Sequence, residues 1–280
     1  RSLMSRSDFE LKNHEQILLM REAGLITAYA LDAVRAAIRP GISTLELDKI
    51  AHDTIKSHGA ESNFQLVDGY FHTICASIND EVVHGIPKAD AILQPGDIIS
   101  IDAGAIKNGW NGDSAITVVV PGGDAKTTAA RERLSRVTEQ SLWAGIAALA
   151  KAKRLNEVGT AIEKYINSQG RFGILEQYVG HGIGRSMHED PPVFNYRVSG
   201  PTPKVVPGLV VAIEPMVTAG SELTKVLEDD WTVSTIDRSD ASHWEHSIAV
   251  HETGIWVLTA KDGGAAGLAS FGITPVPLGE

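Results

Sequence analysis

Cysteine is almost absent from the chain, which contains only Cys75 among its 280 residues. A single cysteine excludes an internal disulfide and any zinc module built from several cysteines. Proteins without disulfides are typical of reducing compartments, so we expect a cytoplasmic location.

Long apolar runs are absent as well. No segment reaches the ~18–20 apolar residues that a membrane helix needs, so we expect no membrane partner. The first residues, RSLMSRSDFELKNHEQ, include two arginines but no apolar region, which argues against a secretory signal. The net charge is −10, and an acidic chain does not suit the phosphate backbone of DNA.

Hydrophobic periodicity divides the chain into helices and strands. Apolar residues at helical spacing predict helices over residues 13–39, 43–59, 125–152 and 155–169, and Ser43 with Glu46 fits a capping box. Short apolar segments predict strands over residues 73–78, 97–103, 115–120, 209–213, 232–236, 245–250 and 255–258. The last twenty residues are expected to form a loose tail.

A weak internal repeat relates the two halves of the chain. LDKIAHDTIKSHG at residues 47–59 resembles VGTAIEKYINSQG at 158–170, and PGDIISID at 95–102 resembles PGLVVAIE at 207–214. Amphipathic helices can match by chance, but the second pair also aligns two carboxylates, Asp102 and Glu214. We therefore expect one domain over residues 1–260, with α+β halves at about 13–120 and 125–259 related by a pseudo-twofold axis, and a C-terminal tail at 261–280.

Two aspartates, Asp102 and Asp113, lie close together if the segments around them form a hairpin. A four-residue loop at 106–109 would place them directly opposite each other, and a turn at Asn108-Gly109 would make them diagonal neighbours. Either register puts both on one face of the sheet, roughly 5–8 Å apart. Two buried and ionised carboxylates repel, so one is protonated, both face water, or a cation binds between them.

Three further residues favour the cation. Glu214 closes the apolar segment VVAIE, Glu245 begins EHSIAV, and His181 lies in YVGHGIGR, where the glycines indicate close backbone contacts. A mostly oxygen-rich set with one imidazole suits Mn, Fe(II), Co or Zn. Two divalent ions would neutralise four carboxylates in the usual hydrolytic two-metal arrangement. Each residue taken alone is more often structural, so this prediction depends on their combination.

Six motifs together resemble those of bacterial type I methionine aminopeptidases. They are INDEVVHGIP, SIDAGAIKNGWNGDS, GHGIGRSMHEDP, AIEPM, DDWTVSTIDRS and WEHSIAV. The resemblance extends over roughly residues 13–259. It implies the creatinase-like, pita-bread α+β fold, in which two halves related by a pseudo-twofold axis surround a central curved antiparallel sheet. That implication agrees with the internal repeat.

The resemblance also implies a role for each metal-binding residue. Asp113 and Glu245 correspond to ligands that bridge two metal ions. Asp102 corresponds to a bidentate ligand of one ion, and His181 and Glu214 to the remaining ligands of the other. The implied cofactor is a pair of divalent ions, which are Co, Mn, Fe(II), Zn or Ni.

Five further positions are implied to contact the substrate. His84 and His188 correspond to two pocket histidines that contact the substrate rather than the metal. Tyr70, Cys75 and Trp231 correspond to residues that line the pocket for the methionine side chain. An apolar pocket that contains Cys and Trp suits a thioether.

The implied activity is removal of the initiator methionine from nascent or newly made polypeptides, with a preference for a small second residue. Water activated by the metal pair would attack the first peptide bond. Glu214 would act as general base and then acid, His188 would donate to the carbonyl oxygen, and His84 would hold the amide nitrogen. The expected partners are peptides with N-terminal Met and nascent chains, encountered at the ribosome, and the protein is expected to be a monomer.

Four residues depart from the family pattern. Asn111 stands where a His is usual, Phe71 where a Pro is common, Met187 where a Phe is common and Val67 where an aromatic residue is common. We expect them to lie at the rim and floor of the pocket and to affect substrate preference. The short N-terminal region, without a zinc module or long extension, and the lack of a large helical insertion before His181 favour the bacterial form.

Two other functions stay open. A proline-specific dipeptidase or aminopeptidase of the same fold normally has a large N-terminal domain, whereas here only about seventy residues precede the first strand of the site. An inactive relative that binds the ribosome or RNA would lose metal ligands and gain basic surface. This chain keeps all five matching ligands and is acidic.

Overall fold

The structure is a computed structural model that describes residues 9–280. The prediction that the first residues do not form a secretory signal concerns, at residues 1–8, a part of the chain outside the described residues. Five α-helices are present in the described part. They are α1 His14–Ala37, α2 Thr44–Ser57, α3 Ala125–Leu149, α4 Asn156–Gln169 and α5 Ala265–Leu268. The four predicted helices are confirmed.

Fifteen strands complete the described part of the chain, and most have five residues or fewer. They are β1 Glu61–Ser62, β2 Ile74–Ile78, β3 Glu81–Val83, β4 Ile98–Lys107, β5 Trp110–Val119, β6 Gly173–Ile174, β7 Gly180–Gly182, β8 Glu189–Val193, β9 Val210–Ile213, β10 Met216–Thr218, β11 Thr224–Val226, β12 Val233–Thr235, β13 Ala241–His243, β14 His246–His251 and β15 Gly254–Val257. All seven predicted strands are confirmed within a few residues.

Capping explains where the first two helices begin. At Ser43 the side chain accepts from the backbone N–H of Glu46, and the Glu46 carboxylate accepts from the Ser43 N–H, so the predicted capping box is confirmed. Asn13 and Gln16 form the same reciprocal arrangement before α1. Helix α1 ends shortly before Pro40-Gly41, where Gly41 has a φ of 91°.

Two antiparallel sheets form the centre of the molecule. In one, β4 pairs with β5 on one edge and with β2 and β1 on the other; the second has the order β15-β14-β9-β7-β8. Reciprocal backbone hydrogen bonds between Ala115 and Glu245, 3.2 and 3.0 Å long, join the two sheets. Two three-stranded sheets, β13-β10-β6 and β11-β12-β3, lie beside them.

Each half of the chain packs a helix pair on its own strands. The N-terminal half buries Leu31 of α1 and Leu47 of α2 against Ile101 of β4. The C-terminal half buries Ile146 of α3 and Ile162 of α4 in the cluster that contains strands β9 and β14. This arrangement agrees with the internal repeat seen in the sequence.

The last twenty residues pack on the domain rather than forming the loose tail that we expected. Leu268 and Leu278 are buried, and the Val276 N–H donates to the Ile255 carbonyl at 3.0 Å. The Val276 carbonyl in turn lies 2.8 Å from His251 Nε2. A few apolar residues spaced among glycines are therefore enough to hold this segment. The division into a domain at 1–260 and a tail at 261–280 stays a prediction.

Among residues 9–280, no helix combines the length and the apolar character that crossing a membrane requires.

Candidate active site

The β4–β5 hairpin sets the relative position of the two aspartates. Its turn consists of Asn108 and Gly109, with φ angles of 51° and 81°, which suits a two-residue hairpin turn. The resulting register pairs Asp102 with Ala115 and Gly104 with Asp113. The aspartates are therefore diagonal neighbours on one face of the sheet, which is the second of the two predicted registers.

The other three predicted ligands converge on these aspartates. His181 is the middle residue of β7, Glu214 directly follows β9, and Glu245 precedes β14. The Nε2 atom of His181 lies 3.1 Å from Glu214 Oε1, 3.4 Å from Asp113 Oδ2 and 3.8 Å from Glu245 Oε2. Residues from both halves of the chain thus meet at one point.

Glycines allow the His181 strand to lie deep in the sheet. A Cβ atom added to Gly180 would come within 2.3 Å of the Ala212 carbonyl oxygen, and one on Gly182 within 2.2 Å of the Asp190 carbonyl oxygen. The glycines of GHGIG therefore reflect close contact with neighbouring backbone, as the sequence indicated.

Five atoms of this cluster are buried and have no hydrogen-bond partner within residues 9–280. They are Asp102 Oδ1, Asp113 Oδ1, Glu245 Oε1, Glu245 Oε2 and His181 Nε2. Buried polar atoms without partners are rare because each costs free energy. Carboxylate and imidazole ligand atoms that converge in this way suit a cation, so these residues fit divalent metal ions.

The His181 ring is oriented as a metal ligand would be. Its Nδ1 lies 2.9 Å from the Gly182 carbonyl oxygen, so Nδ1 donates to that carbonyl and Nε2 faces the carboxylates. Burial lowers the pKa of His181, but its contacts with Asp113 and Glu214 outweigh burial and hold that pKa well above its usual value. Proton and metal therefore compete for Nε2.

The carboxylates differ in how easily they ionise. Burial and the neighbouring charges of Asp113 and Glu214 raise the pKa of Asp102 and of Glu245 well above their usual values. Burial acts the same way on Glu214, but its contacts with His181 and His243 outweigh burial and lower the Glu214 pKa. Glu214 is therefore ionised at neutral pH, whereas Asp102 and Glu245 need a cation to stabilise their charge.

A cavity of about 490 Å³ opens onto this cluster. Tyr70, Cys75 and Trp231 line it as predicted, and the rings of Tyr70 and Trp231 meet edge to face at 5.1 Å. The Tyr70 hydroxyl donates to the Ile74 carbonyl, and burial raises the pKa of the Cys75 thiol. The wall is therefore apolar and uncharged. Phe64, which we did not predict, also contributes to it.

Both predicted pocket histidines face the same cavity. His84 has a φ of 63°, a conformation uncommon outside glycine, and its pKa is lowered by burial. His188 is accessible from the cavity, and its ring centroid lies 4.3 Å from that of His181. Burial and the neighbouring charge of His181 lower the pKa of His188 as well. Both rings are therefore neutral at pH 7 and can donate one hydrogen bond each.

Known proteins resemble this chain over nearly its whole length. Residues 18–252 match the profile described as metallopeptidase family M24. Methionine aminopeptidase 1 of Mycobacterium tuberculosis is 49% identical over 245 residues, which are 86% of this chain and 91% of the relative. The chain belongs to metallopeptidase family M24.

Solved structures of similar proteins agree with this assignment. The methionine aminopeptidase of Thermotoga maritima superposes with a TM-score of 0.85 at 36% identity, covering 90% of this chain and 99% of the other. A prolidase from Pyrococcus furiosus has a TM-score of 0.69 at 21% identity and is covered over only 65% of its length, so it shows the fold alone. The predicted resemblance and the pita-bread fold are confirmed.

A second residue of the site, His243, was also missed in the sequence. His243 is buried and its Nε2 lies 3.0 Å from Glu214 Oε2, while its side chain also approaches Asp102 and Glu245. The motif SHWEHS offered a signal, because His243 and Glu245 are two residues apart and extended chain places such side chains on one face. His243 therefore holds Glu214 Oε2, whereas His181 contacts the other carboxylate oxygen, Oε1.

The four departures from the family pattern differ in their relation to the cavity. Val67 and Met187 line it, as expected. Phe71 is 82% exposed and does not line the cavity. Asn111 is buried, and its Nδ2 donates to the carbonyls of Gly184 and Arg185, both at 3.0 Å. Our placement of Asn111 at the pocket was wrong, because Asn111 instead holds the loop at residues 184–189, whereas a rim position for Phe71 stays a prediction.

Proposed function

We propose that this metallopeptidase removes N-terminal methionine from newly made polypeptides, with a preference for a small second residue. The observation that carries the proposal is the apolar cavity that ends at a buried cluster of carboxylates and His181. Such a cavity would place the end of a bound peptide beside the hydrolytic centre, which suits removal of a terminal residue. The relatives named methionine aminopeptidase, at up to 49% identity, support the same substrate.

Five residues would hold two divalent metal ions, each Co, Mn, Fe(II), Zn or Ni. We propose Asp113 and Glu245 as the shared ligands, Asp102 on one side, and His181 with Glu214 on the other. The number is supported by the charge of the four carboxylates, which one divalent ion would neutralise only in part. When bound, such ions act as Lewis acids and lower the pKa of water, so that a nucleophile exists at neutral pH.

Glu214 is proposed as the general base and then the general acid. Its carboxylate is ionised because His181 and His243 lower its pKa, so Oε1 can accept a proton that later passes to the leaving amine. His243 contacts the other oxygen, Oε2, at 3.0 Å and keeps Oε1 turned toward the cavity. The same residue thereby binds metal and moves the proton.

The pocket histidines are proposed to bind the scissile peptide. His188 would donate to the carbonyl oxygen as negative charge develops there, and His84 would hold the amide nitrogen. The methionine side chain would occupy the cavity between Tyr70, Cys75 and Trp231, where a thioether packs favourably on aromatic rings. Cytoplasmic location, action at the ribosome and a monomeric state complete the proposal and stay predictions from the sequence.

A peptide panel tests the substrate. The protein is loaded with each of Mn, Fe(II), Co, Zn and Ni, and cleavage of Met-Ala-Ser, Met-Leu-Ser and Ala-Pro-Ala is followed together with metal content. We expect release of free Met, fastest from Met-Ala-Ser. Preferential cleavage of Ala-Pro-Ala would favour a proline-specific peptidase. Absence of bound metal and of cleavage with every ion would favour an inactive binding protein.

Metal removal is expected to destabilise the fold. Because the ions pair with buried carboxylates, ions present at 100 times their Kd should add about 2.7 kcal/mol to the free energy of unfolding. For a protein of this size that corresponds to a Tm increase of about 5–10 °C. Calorimetry of chelator-treated protein before and after adding back Mn measures the difference. An unchanged Tm at saturating metal would contradict the proposed site.

A further inference from the structure

The loop at residues 184–189 carries three residues that line the cavity, Met187, His188 and Glu189. Its first part is held by Asn111, whose amide donates to the carbonyls of Gly184 and Arg185. The end of the loop is held differently. The Glu189 carboxylate, next to His188 in the chain, accepts from the Ser186 N–H at 3.0 Å through Oε2 and contacts Lys12 Nζ at 2.8 Å through Oε1.

Lys12 is an unusual partner for this carboxylate because it is buried. Only 5% of Lys12 is exposed, and lysine is almost never buried unless its charge is paired. Its Nζ also donates to the Glu10 carbonyl at 2.9 Å, and its backbone N–H donates to the Gly208 carbonyl at 2.8 Å. Lys12 is thus held both at its backbone and at its ammonium group.

Packing leaves the Lys12 side chain little freedom. A Cβ atom added to Gly184 would lie 2.4 Å from Lys12 Cε, so the loop backbone passes directly over the lysine. A second ion pair links the same two segments, between Arg185 and Glu10, but both of its side chains are largely exposed. Exposed pairs contribute little, whereas breaking a buried pair leaves an uncompensated charge.

We propose that Lys12 is a positioning residue that acts through Glu189 to hold His188 at the reacting carbonyl. The segment before α1 would then be part of the substrate-binding machinery, although it does not itself contact the substrate. The inference rests on the proposed function, because it assumes that His188 donates to the scissile peptide. A displacement of about 1 Å at such a donor can cost on the order of 100-fold in rate.

The test is a double-mutant cycle between Lys12→Met and His188→Ala, with kcat and KM measured on Met-Ala-Ser. We expect Lys12→Met to lower kcat by about 10-fold to 100-fold in the wild-type background. In the His188→Ala background it should lower kcat by less than about twofold, since the residue it positions is gone. Metal content should equal that of the wild type in each variant.

Glu10→Gln is the matched control, because it removes the exposed ion pair of the same segment and should leave kcat within about twofold. Equal losses of kcat from Lys12→Met in both backgrounds would overturn the proposal and indicate a structural role. If Lys12→Met does not fold, Glu189→Gln replaces it with the same expectations, because the amide can still accept from Ser186. Absence of Met-Ala-Ser cleavage by the wild type would instead refute the proposed function.

Discussion

Asp113→Asn should abolish hydrolysis of Met-Ala-Ser while leaving the fold intact. Asp113 is 3% exposed, its Oδ1 has no hydrogen-bond partner within the described chain, and its Oδ2 lies 3.4 Å from His181 Nε2. Asparagine has the same shape, but it lacks the negative charge and carries an NH2 group, which repels a cation, in place of one carboxylate oxygen. Because this side chain is the proposed shared ligand, both metal positions lose affinity together.

The expected decrease in kcat/KM is at least about 10³-fold. Bound metal supplies several kcal/mol of transition-state stabilisation, and each 1.36 kcal/mol corresponds to a factor of ten. Turnover is measured alongside metal content by mass spectrometry of the dialysed protein, which should fall in parallel. Folding is checked by circular dichroism, and the unfolding temperature of the metal-free variant should not decrease because one repelling charge is removed.

Asp53→Asn is the control for this substitution. Asp53 is exposed and pairs with Lys49 at 2.8 Å, so its loss should change neither metal content nor turnover. Wild-type turnover by the Asp113→Asn protein would contradict the shared-ligand role. Loss of turnover with full metal content would indicate that Asp113 contributes to catalysis in a way other than metal binding.

The local chemistry of the site could be predicted from the sequence because it is encoded in short segments. The apolar strand that ends at Asp102, the Asn108-Gly109 turn and the repeat that aligns Asp102 with Glu214 each follow from neighbouring residues. The hairpin register stayed open between two alternatives. A two-residue turn with positive φ at both positions decides between them, and such a turn is favoured by Asn-Gly.

Contacts between distant segments could not be predicted in this way. Strands β7 and β13 have only three residues each, too few for an alternating pattern to be recognised. The partner of His243 is Glu214, 29 residues earlier in the chain, and Lys12 pairs with a glutamate 177 residues away. The placement of Asn111 failed for the same reason, because its contacts with the 184–189 loop depend on tertiary structure.

His188→Ala should slow the chemical step without removing the metals. The ring lies at the cavity side of the cluster, its centroid 4.3 Å from that of His181, and its lowered pKa keeps it neutral at pH 7. A neutral imidazole that donates to the developing oxyanion typically contributes about 10²–10³-fold to kcat. We therefore expect kcat on Met-Ala-Ser to fall by about that factor, with a much smaller change in KM.

Metal content distinguishes this substitution from loss of a ligand. The five proposed ligands all remain in the His188→Ala protein, so metal content and unfolding temperature should match those of the wild type. His14→Ala, which removes an exposed histidine at the start of α1, is the control and should leave kcat unchanged. A kcat within about twofold of wild type would contradict the proposed donor role. A parallel loss of metal would instead make His188 a ligand, which its proximity to Asp113 and His181 permits.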